Sequence, residues 1–142
     1  MKRLALVVLV VVSVGCAPAK LYKYGAVEAS QSTVGVLSGP PHIVIISIDG
    51  QTELERPECT GPACNKGFEI YLDPGPHQLV VRLATGNARA GPLTMEFDVV
   101  AGQGYTFISE TERTGVFEVL WRPKIVDVFG ATVSTVLEAD EP

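Results

Sequence analysis

The sequence predicts an all-β domain, an antiparallel β-sandwich of about seven to nine short strands, preceded by a cleaved helical signal peptide. Apolar and polar residues alternate in many short segments, as in strands that bury one face of a sheet. Turn residues, mostly Gly, Pro and Asp, separate these segments, and beyond the signal no long segment keeps a helical period. With 142 residues, 46% of them hydrophobic, the chain has the material for one compact domain.

Nine segments carry the strand pattern. The run at 42–48 has five Val or Ile residues in seven, which predicts a central strand buried on both faces. In the turn at 73–76, Pro74 presets φ and Gly75 accepts a positive φ, so we expect a hairpin between the flanking strands. The predicted strands are 33–37, 42–48, 68–72, 79–83, 95–99, 105–110, 116–121, 125–129 and 132–137.

The first 15 residues have the pattern of a lipoprotein signal peptide. A basic start is followed by an apolar run at 4–12, about half the roughly 20 residues that a membrane-spanning helix needs. Gly15 before Cys16 resembles the lipobox of bacterial lipoproteins, which implies a diacylglyceryl and acyl anchor on Cys16. An ordinary secretory signal with an incidental Cys16 is the alternative. By the same resemblance, Ala17 in place of Asp implies the periplasmic face of the outer membrane.

This anchor sets the expected domain boundaries. Residues 16–29 are expected to be the lipidated terminus and a spacer, and residues 30–142 the β-sandwich. Several acyl chains bury enough methylene groups to make the membrane attachment permanent. The membrane, reached through the lipid, is therefore the first expected partner.

The other two cysteines, Cys59 and Cys64, lie in a long acidic loop at 51–66. An even pair in an exported chain favours a local disulfide. A redox pair is the alternative, although a spacer of four residues differs from the Cys-x-x-Cys arrangement that lowers a thiol pKa. A structural zinc site would need four ligands. Because long loops in compact domains are often functional, this loop is the first candidate contact surface, with Glu53, Glu55 and Glu58 as candidate partner or ligand contacts.

Charge and motifs argue against several classes of function. Without Lys2 and Arg3, the 11 basic residues fall to 9 against 16 acidic ones, a charge near −7, so nucleic-acid binding is not expected. Phosphate-binding loops, nucleophile elbows and zinc-protease motifs are all missing from the sequence. The acidic residues at 49–58 lack the spacing of a calcium loop. We therefore expect no enzyme, no cofactor and no metal.

Two residues have structural interpretations. His77 follows the 73–76 turn, and no sequence spacing supplies the nucleophile or carboxylate that a catalytic histidine needs. We interpret it as a strand-entry residue that is hydrogen-bonded to the backbone. Tyr105 is interpreted as a corner residue whose hydroxyl group bonds a neighbouring backbone.

Three short motifs occur in order: Ile48-Asp49-Gly50, Pro74-Gly75-Pro76-His77 and Gly102-Gln103-Gly104-Tyr105. Their order resembles a recurring pattern in small bacterial envelope lipoproteins of unassigned function, akin to PEGA-like and transthyretin-like β-sandwich modules. The resemblance spans roughly residues 24–109, interrupted by the acidic insert between Gly50 and Gly67. It implies an envelope-facing module without catalytic activity.

The sequence therefore leads to two expectations about function. The first is a lipid-anchored interaction module for an envelope protein assembly, with the 51–66 loop as its contact. The second is a module that binds peptidoglycan or another glycan through Trp121 and Tyr71. A core position is the more frequent one for a single tryptophan, and a buried Trp121 would exclude the second expectation.

The proposed pair of cysteines is testable by thiol labelling. Iodoacetamide applied to the denatured, unreduced protein should leave Cys59 and Cys64 unmodified, because both sulfurs are in the disulfide. Mass spectrometry before and after reduction provides the measurement. Full labelling without reductant would show that the disulfide does not form.

Overall fold

A computed structural model describes residues 22–25, 29–54, 67–86, 88–116 and 118–137 as β structure joined by turns. None of these residues is helical, so the predicted all-β class is confirmed for them. Among them, no helix is long and apolar enough to span a bilayer. The strands are β1 (Tyr22–Gly25), β2 (Gly35–Gly39), β3 (Ile43–Ile48), β4 (Phe68–Leu72), β5 (Gly75–Ala84), β6 (Arg89–Val99), β7 (Gly104–Arg113), β8 (Val119–Asp127) and β9 (Ser134–Leu137).

The strands form two sheets, one of five strands in the order β1-β4-β2-β7-β8 and one of four in the order β3-β5-β6-β9. The four-stranded sheet is antiparallel throughout. In the five-stranded sheet, β1 runs parallel to β4 and β2 runs parallel to β7. The expectation of purely antiparallel pairing is therefore wrong for this sheet. Hydrophobic alternation indicates which face of a strand is buried, and it carries no information on the direction of the neighbouring strand.

The two sheets share one hydrophobic core, which gives the molecule a two-layer, sandwich-like architecture. In β5, Leu79, Val81 and Leu83 are fully buried, whereas Gln78 and Arg82 on the other face are exposed. Full burial of one such aliphatic side chain contributes about 1.5–3 kcal/mol. The most deeply buried side chains are Leu37, Ile70, Phe107 and Ile125 of one sheet and Ile45, Leu79, Val81, Leu83 and Met95 of the other.

The turn after β4 connects the two sheets. β4 pairs with β1 and β2, whereas β5 pairs with β3 and β6, so the predicted hairpin between these strands is wrong. Both strands bury alternate residues in the same core, and that pattern is identical for a hairpin and for an arch between layers. The backbone prediction for the turn is confirmed, because Gly75 has a φ of 128°.

Three strands differ from their predicted positions. The 42–48 run forms β3, an edge strand in which Val44 and Ile46 are half-buried. β1 lies inside the predicted spacer and pairs in parallel with β4. The segments at 116–121 and 125–129 were expected as two strands separated by Pro123. They are largely one strand, β8, which tolerates Pro123 because it lies at the sheet edge.

The directions in which the strands pair define two opposite ends of the domain. We call the end where β1 begins the near end, and the end where β3 and β8 finish the far end. At the near end, β1 begins at Tyr22 and β2 ends at Gly39. At the far end, β3 leads into Asp49 and β8 leads into the turn after Asp127. The nine residues of β8 place the two ends about 30 Å apart.

Gly39 lies beside two aromatic residues of the five-stranded sheet, Phe68 and Phe107. A Cβ there would lie 2.2 Å from Phe68 Cζ and 2.9 Å from Phe107 Cβ, and the two rings contact each other edge to face. Gly39→Ala should therefore reduce the free energy of unfolding by about 1–3 kcal/mol, measured by urea titration.

Gly86→Ala is the matched control, because no atom lies within 4 Å of the Cβ position of Gly86. The control should unfold at the wild-type urea concentration or slightly above it. Equal stability of the two variants would contradict the close packing at Gly39.

Candidate functional site

The far end contains a hydrogen-bonded pair, His77 and Asp49, whose members lie 28 positions apart in the sequence. His77 Nδ1 lies 2.7 Å from Asp49 Oδ2, and His77 Nε2 lies 2.7 Å from the carbonyl oxygen of Asp73. Asp49 Oδ1 also accepts a hydrogen bond of 2.8 Å from the backbone N–H of Gln78. The histidine side chain is 12% exposed and the aspartate side chain 47%. These contacts connect the end of β3 to the turn between the two sheets.

Local backbone geometry places Asp49 for these contacts. Ile48 and Gln51 exchange two backbone hydrogen bonds across Asp49 and Gly50, which form a two-residue hairpin loop. Both loop residues have positive φ, 51° for Asp49 and 78° for Gly50, as a type I′ turn requires. Asp-Gly is a preferred pair for this turn, because aspartate tolerates the left-handed region better than most residues.

Both ring nitrogens of His77 face acceptors, a carboxylate and a carbonyl. A neutral imidazole carries one N–H and donates to only one of them, whereas a doubly protonated ring donates to both. The expectation that His77 bonds the backbone is confirmed by its contact with the Asp73 carbonyl. Sequence reasoning missed Asp49 as its carboxylate partner, because a contact between distant strands leaves no spacing signal.

An open cleft of about 450 Å³ lies beside this pair. Asp49, His77 and Gln78 form one side, and Glu96 and Asp98 of β6 form another. The Gln78 amide donates a hydrogen bond of 3.1 Å to Glu96 Oε1. The cleft is therefore polar and acidic, and both nitrogens of its histidine are already engaged. Among the described residues, no group of three or more His, Cys, Asp or Glu side chains has the arrangement of a metal site.

The three motifs of the sequence meet near this cleft. The His77 ring lies 6.5 Å from the Phe97 ring, which packs edge to face on Tyr105 at 5.7 Å. The backbone N–H of Val100 donates a hydrogen bond of 2.8 Å to the Tyr105 hydroxyl, which confirms the corner role predicted for this tyrosine. Asp49, His77 and Tyr105 thus belong to one cluster that organises the turns of the far end.

The aromatic residues proposed for glycan stacking are buried. Trp121 is 7% exposed, and its indole N–H donates a hydrogen bond of 2.9 Å to Ser109 Oγ. Tyr71 is 5% exposed. Trp121 as a candidate ligand contact is therefore corrected, because neither face of the indole is free to stack on a sugar ring. The preferred expectation of a core position is confirmed.

The other predicted contacts lie mostly outside the described residues. Glu53 is exposed and lies three positions after Gly50, the second residue of the Asp49-Gly50 loop. Nearby Leu54 packs against the core, which ties the start of the 51–66 loop to the domain. Glu55, Glu58, Cys16, Cys59 and Cys64 lie outside the described residues.

A second feature of the far end is an apolar turn between β8 and β9. Phe129 is 89% exposed and Val128 is 66% exposed. Sequence reasoning placed both in a strand, because their apolar character matched the strand before them. Their chemistry at this position suits contact with another molecule rather than catalysis, since exposed aromatic residues are common in binding surfaces.

Comparisons with protein-family models, with curated proteins and with solved structures find no match to this chain. The residues of the far end and the sequence before β1 are therefore the features that bear on function.

The Asp49 contacts are testable by two substitutions that differ in what they remove. Asp49→Ala removes the acceptors for His77 and for the Gln78 N–H, and should reduce the free energy of unfolding by about 1–3 kcal/mol. Asp49→Asn should lose less than half as much. Its oxygen still accepts from Gln78, its amide donates to a neutral His77, and asparagine tolerates positive φ.

Urea unfolding of both variants beside the wild type measures this difference. Equal losses would show that the negative charge, and not the hydrogen-bond geometry, is what stabilises this turn.

Proposed function

We propose that this protein is a lipid-anchored envelope protein whose β-domain is a non-catalytic interaction module, held to the membrane at its near end and presenting its far end to a protein partner. The signal sequence and Cys16 support the anchor. The Ala17 that follows supports the periplasmic face of the outer membrane as its location. The resemblance to small envelope lipoproteins agrees with this role.

The observation that carries the proposal is that the start of β1 and the exposed apolar turn lie at opposite ends of the domain. Tyr22, at the near end, follows Cys16 by six residues, which span at most about 20 Å when fully extended. A lipid on Cys16 therefore keeps the near end close to the membrane. The exposed Val128 and Phe129 lie at the opposite end, about 30 Å further out. A partner in the periplasm meets that end first.

The environment of His77 supports a non-catalytic role. A general base needs a free ring nitrogen directed at a nucleophile or at substrate. The two nitrogens of His77 instead contact the Asp49 carboxylate and the Asp73 carbonyl. The ring thus fastens a turn, which is consistent with a binding module.

The glycan-binding alternative has less support. It depended on an exposed Trp121, and that residue packs in the core. Within 29–54, 67–86, 88–116 and 118–137, the one exposed aromatic residue is Phe129, which lies in the turn between β8 and β9 and not on the face of a sheet. Protein binding therefore remains the preferred proposal.

The anchor is tested by Cys16→Ser in the full-length chain. The variant should leave the membrane fraction or accumulate as the unprocessed precursor, because the serine hydroxyl does not receive the lipid. Fractionation and mass spectrometry of the mature amino terminus measure both outcomes. A Lys20→Ser variant, altered in the same segment without loss of the thiol, is the control. Unchanged processing and membrane association of Cys16→Ser would contradict the proposal.

A further inference from the structure

We propose that the tip formed by Val128 and Phe129 inserts into an apolar pocket of a partner protein and that lysine or arginine side chains border this pocket. The inference rests on the proposed function, since it assigns the chemistry of the partner that meets the far end. It places the contact at the β8–β9 turn, which is separate from the acidic 51–66 loop indicated by the sequence.

The side chains of the tip are exposed to solvent. A phenylalanine that is 89% exposed beside a valine that is 66% exposed leaves a large apolar surface in water. Val100, 53% exposed, lies in the turn that leads into β7. Val128 lies against the start of that strand, since its Cγ1 is 3.8 Å from the Cβ position of Gly104. The two neighbouring turns thus offer apolar side chains on the same end of the domain.

Hydrogen bonds within the turn order the tip. Asp127 Oδ1 accepts hydrogen bonds of 2.9 Å from the backbone N–H groups of both Phe129 and Ala131. The Asp127 carbonyl accepts from the Gly130 N–H, and the Asp127 N–H donates to the Ala131 carbonyl, both at 3.0 Å. Gly130 supplies the positive φ of 81° that closes the turn. A turn ordered before binding loses less conformational entropy on binding, and this favours a specific contact.

The charged side chains in the described part of the far end are all acidic. The described segments that build the far end are 29–36, 49–54, 72–78, 97–106 and 126–135, and they contain no lysine or arginine. They contain five carboxylates, Asp49, Glu53, Asp73, Asp98 and Asp127. An end of the domain that combines an apolar tip with five carboxylates fits a partner whose apolar pocket is bordered by basic side chains, which would guide the approach of the partner and select it.

The same charges disfavour two other occupants. An anionic lipid surface is repelled by the carboxylates, and the anchored membrane lies on the side of the near end. A second copy of the chain would bring five carboxylates against five more. A basic partner protein is the occupant that the charge and the position of the tip both favour.

This contact is tested by photo-crosslinking in cells of the source organism. The full-length chain carries p-benzoylphenylalanine in place of Phe129, which keeps an aromatic ring at the tip. The matched control carries the same photoreactive residue in place of Val116, which is 82% exposed at the near end. Mass spectrometry identifies the crosslinked protein and the peptide within it that receives the crosslink.

Charge variants supply the second readout. Asp98→Lys combined with Glu53→Lys reverses the charge of two exposed far-end residues, and Glu118→Lys reverses an exposed residue at the near end. The far-end pair should lower the crosslinking yield from position 129 at least about tenfold. The near-end variant should leave it unchanged. Protease resistance of each variant confirms that it is folded.

The expected result is one protein crosslinked from position 129 and not from position 116, through an apolar peptide with adjacent lysine or arginine residues. Crosslinking to a second copy, to lipid or to no molecule would overturn the proposal, as would a yield insensitive to the far-end charges. Membrane fractionation of the same cells with Cys16→Ser keeps the two proposals apart. If that variant stays in the membrane and still crosslinks, the proposed lipid anchor is contradicted while the docking contact remains supported.

Discussion

Burial of one face of each sheet against the other is the constraint on which the rest of this molecule depends. Leu79, Val81 and Leu83 of one layer and Leu37 and Ile70 of the other have no accessible surface. Each strand is placed by the requirement that these faces meet, including strands that run in unexpected directions. The glycines that pack closely, such as Gly39 against Phe68, are part of the same constraint.

The far end shows how a few polar contacts complete a fold that hydrophobic packing alone leaves loose at its turns. Asp49 joins the end of β3 to His77, and His77 joins β5 to the carbonyl that ends β4. Phe97 and Tyr105 extend the cluster to the turn before β7. Motifs that look like unrelated turn signals in the sequence therefore stabilise one another in space.

Charge and apolar surface are distributed unevenly between the two ends. Exposed carboxylates without neighbouring lysine or arginine mark the described turns of the far end, whereas Arg89 and Arg113 lie at the near end among acidic residues. Lys124 and Arg122 pair with Glu110 and Glu112 on the outer face of β7 and β8. An anchored protein gains from this difference between its ends, because its point of attachment and its recognition surface then lie on opposite sides. This arrangement links the proposed anchor and the proposed partner in one physical picture.

The sequence by itself determined the all-β class, the buried face of most strands, the positive φ at Gly75 and the corner role of Tyr105. These features depend on alternation and on turn chemistry, which are local. Tertiary structure alone decided that β4 and β5 belong to different sheets, that β1 runs parallel to β4 and that Asp49 meets His77. Such pairings join residues far apart in the chain, and the same alternating pattern permits several of them. Only the packing of the whole core, which must bury all of these faces together, selects one.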